Sequence, residues 1–221
     1  MFIGHFAVGL AAKRVTPRIS LAVLFLAAQF ADVLWPVLLA LGFEQVRIAP
    51  GNTAFTPLDF VSYPYSHSLA LLAVWAVVVG GGYRAIAGGR GTAVTLGLLV
   101  LSHWLLDYLT HRPDMPLYPG GPKVGLGLWN SVAATLVIEI AMFAYGVFLY
   151  VRATRARDAV GRWGFVAMIA VLLLIYLANL AGGAPPSVTA IWTAGIAGAI
   201  VLIAWAWWVD HHREVVRQNA R

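Results

Sequence analysis

The decapeptide Ser102–His111, SHWLLDYLTH, closes an apolar run that begins near Thr92 and carries three ionisable side chains at regular spacing. His103, Asp107 and His111 follow one another at intervals of four residues, so on a helix they share one face. Each such group costs on the order of 2.5 to 3.5 kcal/mol at the centre of a bilayer unless it finds a partner or a wet cavity. The spacing therefore predicts that this face binds something, and a metal ion is the leading candidate.

The composition indicates an integral membrane protein. Hydrophobic residues make up 61% of the 221-residue chain and charged residues only 11%, whereas soluble domains carry about a quarter charged residues. The chain has no cysteine, which excludes disulfides and thiolate metal sites. We expect an all-α membrane protein with one integral membrane domain over residues 1–221, in which residues 1–150 carry the site and residues 163–209 form two structural spans.

The apolar runs predict a six-span helical bundle. Residues 2–12 are apolar but too short to cross a membrane, because a helical span needs about 20 residues. We interpret them as an N-terminal half-inserted helix. The six predicted spans are Ile19–Phe43 with a kink near Pro36, Tyr65–Tyr83, Thr92–Thr110, Leu128–Tyr150, Trp163–Leu180 and Val188–Val209.

The positive charges predict the orientation of the bundle. Twelve of the 15 Lys and Arg residues fall on one side of the six spans, and only Arg47, Arg112 and Lys123 fall on the other. Under the positive-inside rule this places the C-terminus in the cytoplasm and turns the loops 44–64 and 112–127 outward. The net charge of +6 thus reflects topology, and with no groove-reading element we expect no nucleic-acid partner.

The ionisable residues in or beside the apolar spans are all acids or histidines. They are His5, Asp32, His67, His103, Asp107, His111 and Glu139. Taken singly, some have a structural role open to them: His67 can cap a helix and Glu139 can form an interhelical hydrogen bond. Taken together, three carboxylates with no Lys or Arg in the spans need another source of positive charge, which favours a divalent cation. A mixed imidazole and carboxylate set suits Zn²⁺, with Mn²⁺ or Fe²⁺ as alternatives.

Several motifs occur in an order that resembles the YdjM-like inner-membrane family of predicted metal-dependent hydrolases. They are Gly4-His5, Ala31-Asp32, His67-Ser68, Ser102-His103-x-x-x-Asp107-x-Leu109-Thr110 and Met115-Pro116-Leu117-x-Pro119. The resemblance covers roughly residues 1–131 and implies a bacterial inner-membrane location. His5, Asp32, His67, His103 and Asp107 match the polar positions of that family.

The chain departs from the family pattern at two of these motifs. Ala31-Asp32-Val33-Leu34 stands where the family often has Pro-Asp-Ile-Asp, so one carboxylate is missing. The segment 61–67 lacks the histidine and arginine that often precede the family's Thr-His-Ser. His111, Asp114 and Glu139 are candidate replacements.

The functional hypothesis is a metal-dependent hydrolase that acts on a lipid-like or phosphoester substrate from the outward side. We assign His5, Asp32, His67, His103 and Asp107 as ligands, and His111, Glu139 and Asp114 as acid, base or supporting groups. Arg112 and Lys123 are candidates for gripping an anionic head group.

Two other classes of membrane protein also place ionisable groups in the membrane. A proton- or ion-coupled transporter does so, but it usually shows duplicated halves, and here the polar set is confined to the first four spans. A metal-independent lipid phosphatase carries a basic signature that is absent from these spans.

Overall fold

A computed structural model describes residues 1–216, which form a bundle of nine α-helices with three two-stranded ribbons. The helices are α1 (Ile3–Ala12), α2 (Leu21–Ala28), α3 (Phe30–Ala40), α4 (Pro64–His67), α5 (Leu69–Ala87), α6 (Arg90–Thr110), α7 (Val132–Ala153), α8 (Phe165–Ala181) and α9 (Val188–His211). The strands pair antiparallel as β1 (Gln45–Ile48) with β2 (Leu58–Ser62), β3 (Met115–Pro116) with β4 (Lys123–Val124), and β5 (Thr154–Ala156) with β6 (Arg213–Val215). Arg217 and Arg221, counted above for orientation, lie outside the described residues.

The helices confirm the predicted six-span membrane bundle. Five helices of the described chain are long and apolar enough to cross a membrane, and the bent pair α2 and α3 makes a sixth span. Their outer faces are apolar, with Val77 74%, Val137 69% and Leu174 65% exposed. An apolar surface of this size on membrane-length helices is typical of a surface that faces lipid. The short helix α1, with most of its residues buried, matches the predicted half-inserted segment.

The bend in the first span is at Gln29, seven residues before Pro36, near which the sequence predicted a kinked or thinned span. Helices α2 and α3 meet at 62°, and Gln29 leaves the helical region with ψ 11°. Pro36 lies inside α3. The break frees the Ala28 carbonyl, which instead pairs with His103 Nδ1 at 2.9 Å. The bend therefore couples the first span directly to the site-bearing helix α6.

Helix α1 is held deep in the bundle by close packing against α7. A Cβ atom at Gly146 would lie 2.8 Å from Ala7 Cα, so only glycine allows the two backbones to approach this closely. The Glu139 carboxylate, also on α7, accepts hydrogen bonds from the Phe2 and Gly4 backbone N–H groups at 2.9 and 3.3 Å. These contacts fix the depth of α1 and of His5, which it carries.

The loop 44–64, which is predicted to face outward, contains regular secondary structure. It forms the β1–β2 hairpin, in which Val46 pairs with Phe60 and Arg47 with Asp59. The second span begins at Leu69 rather than Tyr65, because Ser68 is extended and separates α5 from the short helix α4. His67 thus sits on an independent turn that points its side chain into the bundle.

A buried ion pair near the C-terminal end of α9 joins four helices, α1, α2, α7 and α9. Lys13 Nζ lies 2.6 Å from Asp210 Oδ2, whose carboxylate also accepts from Leu21 N at 3.0 Å and Tyr150 OH at 2.7 Å. Lys13 and Asp210 side chains are 5% and 8% exposed.

Replacing Lys13 with Met is expected to destabilise the protein by about 3 kcal/mol, since removing one partner leaves a buried, uncompensated charge. The measurement is the midpoint of thermal unfolding in detergent. Arg14→Met, at an exposed neighbouring position, is the control and should unfold near the wild-type temperature. Equal midpoints for the two variants would contradict the expected cost.

Candidate metal centre

Four side chains from three helices bring carboxylate oxygens and imidazole nitrogens close to one another. We call Asp32, His67, His103 and Asp107 the inner group. Asp32 Oδ1 lies 3.5 Å from His67 Nε2 and 3.6 Å from His103 Nε2. Asp107 Oδ2 lies 3.7 and 3.2 Å from the same two nitrogens. Ligands around a tetrahedral zinc ion with bonds of about 2.0–2.1 Å stand about 3.4 Å apart, so each of these four separations suits neighbouring ligands of such an ion. The ligand atoms of Asp32, His67 and His103 all lie within 4.8 Å of one another.

The His103 imidazole is oriented to ligate through Nε2. Its Nδ1 is 2.9 Å from the Ala28 carbonyl, which can only accept, so Nδ1 carries the proton and Nε2 the lone pair. Nε2 is buried and has no hydrogen-bond partner among the described residues. A buried nitrogen lone pair between two carboxylates is the environment that a cation satisfies.

The His67 imidazole is held in the same tautomer by a relay that the sequence analysis missed. Glu44 Oε2 accepts from the Ser66 hydroxyl at 2.6 Å, and Ser66 Oγ lies 2.7 Å from His67 Nδ1. A hydroxyl has one hydrogen, so Ser66 must accept from His67, which leaves Nε2 free to face Asp32 and Asp107. Glu44 is 2% exposed and also accepts from the Tyr65 and Ser66 backbone N–H groups at 2.8 and 2.9 Å.

His5 contacts the other oxygen of Asp107. Its Nε2 is 3.0 Å from Asp107 Oδ1, and its ring stacks on that of His103 with centroids 3.7 Å apart. The amino group of Met1 contacts the same oxygen. His5, His103 and Asp107 form a second set of three residues with ligand atoms within 4.8 Å, beside the set of Asp32, His67 and His103. His5 is therefore placed to ligate an ion or to hold Asp107.

His111 lies at the edge of the inner group and has its own carboxylate partner. It caps the C-terminus of α6, with Nδ1 2.9 Å from Asp114 Oδ1 and Nε2 3.9 Å from Asp107 Oδ2. The Tyr63 hydroxyl donates to the same Asp114 oxygen at 3.0 Å. Burial lowers the pKa of His111, although the hydrogen bond that its Nδ1–H donates to Asp114 acts in the opposite direction. Burial also raises the pKa of Tyr63 well above its usual range. This arrangement favours a neutral His111 with Nε2 facing the inner group.

A comparison with known protein families found a match. The family model described as YdjM inner membrane protein matches residues 1–184. The chain belongs to the YdjM inner-membrane protein family. No curated protein and no solved structure matches the chain. The match contains the inner group, His5 and His111.

Two predicted residues of this YdjM-family protein lie apart from the inner group. Glu139 binds the backbone at the start of α1, as described above, and is in neither set of three possible ligands among the described residues. Asp114 reaches the centre only through His111. The structure gives Glu139 a position that supports α1, and it gives Asp114 a position that orients His111.

Arg112 and Lys123 lie in a separate outer hollow of about 430 Å³. Arg112 pairs with Asp59 and, through Nε at 3.3 Å, with Asp114, while Lys123 donates to the Val61 carbonyl at 2.9 Å. Phe60 lines both this hollow and a larger cavity beside the inner group, which we call the inner cavity. Neither Arg112 nor Lys123 lines the inner cavity. The head-group contact predicted for them is therefore confined to the outer surface.

The inner group of the YdjM-family protein opens on a cavity of about 730 Å³. Asp32, His67, Asp107 and His111 are among the residues that line it. The lining also includes residues of α8 and α9, which the sequence analysis treated as structural spans. No Lys or Arg side chain of the described residues lines this cavity. Most of the remaining lining is apolar, as expected for a site that admits hydrocarbon.

Proposed function

We propose that this protein is a membrane-embedded metal-dependent hydrolase that cleaves an ester or phosphoester bond of a lipid-like substrate from the outward side. The observation that carries the proposal is the inner group: two imidazole nitrogens and two carboxylates at 3.2–3.7 Å, with His103 Nε2 unpaired. The donor set suits Zn²⁺, with Mn²⁺ and Fe²⁺ as alternatives.

The ion would be held by Asp32, His67, His103 and Asp107, with His5 beside them. When bound, a divalent cation supplies Lewis acidity, which polarises the substrate's acceptor oxygen and makes water a stronger nucleophile at neutral pH. Substrate placement and proton transfer fall to the chain's own residues. The scissile bond must lie beside the inner group, where the group lines the cavity.

His111 is the proposed acid and base. Its Nε2 lone pair accepts a proton from water, and Asp114 holds the ring through Nδ1 in the orientation that this transfer needs. The water oxygen then forms a bond to the carbonyl carbon or phosphorus, the bond to the alcohol oxygen breaks, and His111 returns the proton to the departing alcohol.

Metal removal tests the proposal directly. Detergent-purified protein is expected to hold at least one equivalent of zinc, manganese or iron, and to hydrolyse a long-chain p-nitrophenyl ester or bis-p-nitrophenyl phosphate. Dialysis against a chelator should abolish hydrolysis and lower the unfolding temperature, and Zn²⁺ should restore both. A bound ion at about 100 times its Kd stabilises the folded state by about 2.7 kcal/mol. Hydrolysis that survives complete loss of metal would overturn the proposal.

An ion-coupled transporter is the second candidate, and the broken first span favours it. Discontinuous helices beside intramembrane carboxylates are typical of transporters, and α2 and α3 break three residues before Asp32. Reconstitution in proteoliposomes distinguishes the two functions. Metal-dependent flux without hydrolysis would support the transporter, whereas hydrolysis without flux would support the enzyme.

A further inference from the structure

The inner cavity extends from the inner group along one face of α9. The cavity-lining residues of α9 recur every three or four positions in two adjacent columns, as a single helical face requires. They are Ala190, Ile191, Ala194, Gly195, Gly198, Ala199, Leu202 and Ile203. Small residues occupy most of the face, Ile191 stands near its outer end, and Leu202 and Ile203 stand at its inner end. The helix thus leaves most space between Ile191 and Leu202.

This space is long enough to hold a hydrocarbon chain from one leaflet. Ala190 to Ile203 covers roughly 20 Å at a rise of 1.5 Å per residue, and half of the hydrocarbon core of a bilayer is about 15 Å. Phe6, Phe25, Leu202 and Ile203 line the inner end. The outer end reaches Pro185 and Pro186, before α9 begins.

Three buried polar atoms in the cavity lining have no hydrogen-bond partner among the described residues. They are Gln29 Oε1, Trp35 Nε1 and Trp129 Nε1. Gln29 and Trp129 are buried residues, 6% and 8% exposed. Trp129 also packs against His111, with ring centroids 4.3 Å apart. A buried indole N–H normally has an acceptor, so its position beside His111 indicates that a ligand supplies one.

Among residues 1–216 the cavity lining offers a ligand hydrogen bonds but no Lys or Arg side chain. We propose that the cavity binds one hydrocarbon chain of an ester-linked amphiphile, with the linkage beside Trp129 and the inner group and with the α9 face setting the accepted chain length. This inference rests on the proposed function and names the substrate class of the same site. Helix α9 lies beyond the residues matched by the family model, so chain selection would be a property of this protein's own wall.

The probes that test the inference are n-alkyl hydroxamic acids, which bind zinc through the head and carry a chain of chosen length. Binding of acetohydroxamate and of octano- and decanohydroxamate is measured on zinc-loaded protein in detergent. Ala194→Leu and Ala199→Leu each place three extra carbons in the cavity. Ala197→Leu, at a position on α9 outside the lining, is the matched control. Gly195 is avoided because a Cβ there would lie 3.0 Å from Pro36 Cβ.

The measured quantity is the ratio of the Kd of a variant to that of the wild type at each chain length. Partition of the probe into micelles is the same for both proteins and cancels in this ratio. Displacing one methylene from an apolar site weakens binding about fourfold. Ala194→Leu and Ala199→Leu, which we call the filled variants, should therefore bind decanohydroxamate at least tenfold more weakly than the wild type. They should bind acetohydroxamate as the wild type does, and Ala197→Leu should show no change at any length.

The possible failures are distinct. A ratio that is independent of chain length in both filled variants would overturn the chain site but leave the metal site standing. Equal losses in Ala197→Leu would show that the chain lies outside the cavity and would also overturn it. Failure of acetohydroxamate to bind the zinc-loaded wild type would overturn the metal centre, and with it the inference that rests on it.

Discussion

Replacing His103 and Asp107 together with alanine is expected to remove the bound metal completely and to reduce hydrolysis at least a thousandfold. The two residues supply two of the four atoms of the inner group, and His103 belongs to both sets of possible ligands while Asp107 belongs to one. Without these two residues neither set of possible ligands among the described residues keeps three members, and zinc sites of this kind use at least three protein ligands. Elemental analysis of the purified variant measures the metal, and ester or phosphodiester hydrolysis measures the activity.

Two further variants separate loss of metal from loss of fold. Asp107→Asn keeps the shape of the side chain and the acceptor for His5, yet it removes the negative charge, so it should lose most of the metal while remaining folded. His211→Ala is the histidine control, because His211 lies at the end of α9 and its Nδ1 contacts only the Trp207 carbonyl among the hydrogen bonds of the described residues. Retention of a full equivalent of metal by the double variant would remove the basis of the catalytic proposal.

The sequence predicted the centre of the site because its residues obey local rules. His103 and Asp107 are four residues apart on one helix, and their contact at 3.2 Å follows from that spacing. Asp32 and His67 were found by a different argument, the cost of unpaired polar groups among spans that carry no Lys or Arg. Both arguments concern a single helix or a single residue, and neither requires knowledge of how the helices pack.

The parts that the sequence could not predict depend on packing between distant segments. The bend at Gln29 has no proline at its centre, and the Ala28 carbonyl that it frees is taken by a histidine 75 residues away. Glu44 was interpreted as a loop residue, since nothing in its neighbourhood indicates that it meets Ser66 across 22 residues. The Ser66-His67 pair was the one available signal, because a hydroxyl next to a ligand histidine often orients it. That α9 lines the cavity could not be predicted either, because a helix face of small apolar residues has the same sequence pattern whether it packs against another helix or borders a cavity.

Replacing Glu44 with Gln is expected to weaken zinc binding more than replacing Ser66 with Ala, although Gln has the same size as Glu. In Ser66→Ala the relay loses its hydroxyl, His67 loses one orienting contact, and affinity should fall about 10- to 100-fold, as for other groups that orient a metal ligand. In Glu44→Gln the amide can donate to Ser66 Oγ, which turns the hydroxyl hydrogen toward His67 Nδ1. His67 then carries its proton on Nε2 and cannot ligate. Competition with a zinc-binding dye measures these affinities.

A double-mutant cycle with His67→Ala shows whether the relay acts through that histidine. If it does, Ser66→Ala should cost nothing further once His67 is absent, because coupled residues are non-additive. Ser66→Thr keeps a hydroxyl and should retain near wild-type affinity, and Glu214→Gln, at an exposed site, should have no effect.

A purely structural role for Glu44 and Ser66 predicts the opposite result. The backbone N–H bonds to Glu44 survive in Ser66→Ala, and the amide oxygen introduced by Glu44→Gln can still accept them. Both variants would then bind zinc as the wild type does, and any loss would add to that of His67→Ala. Such additivity would show that Glu44 supports the α4 turn and leaves the tautomer of His67 to other contacts.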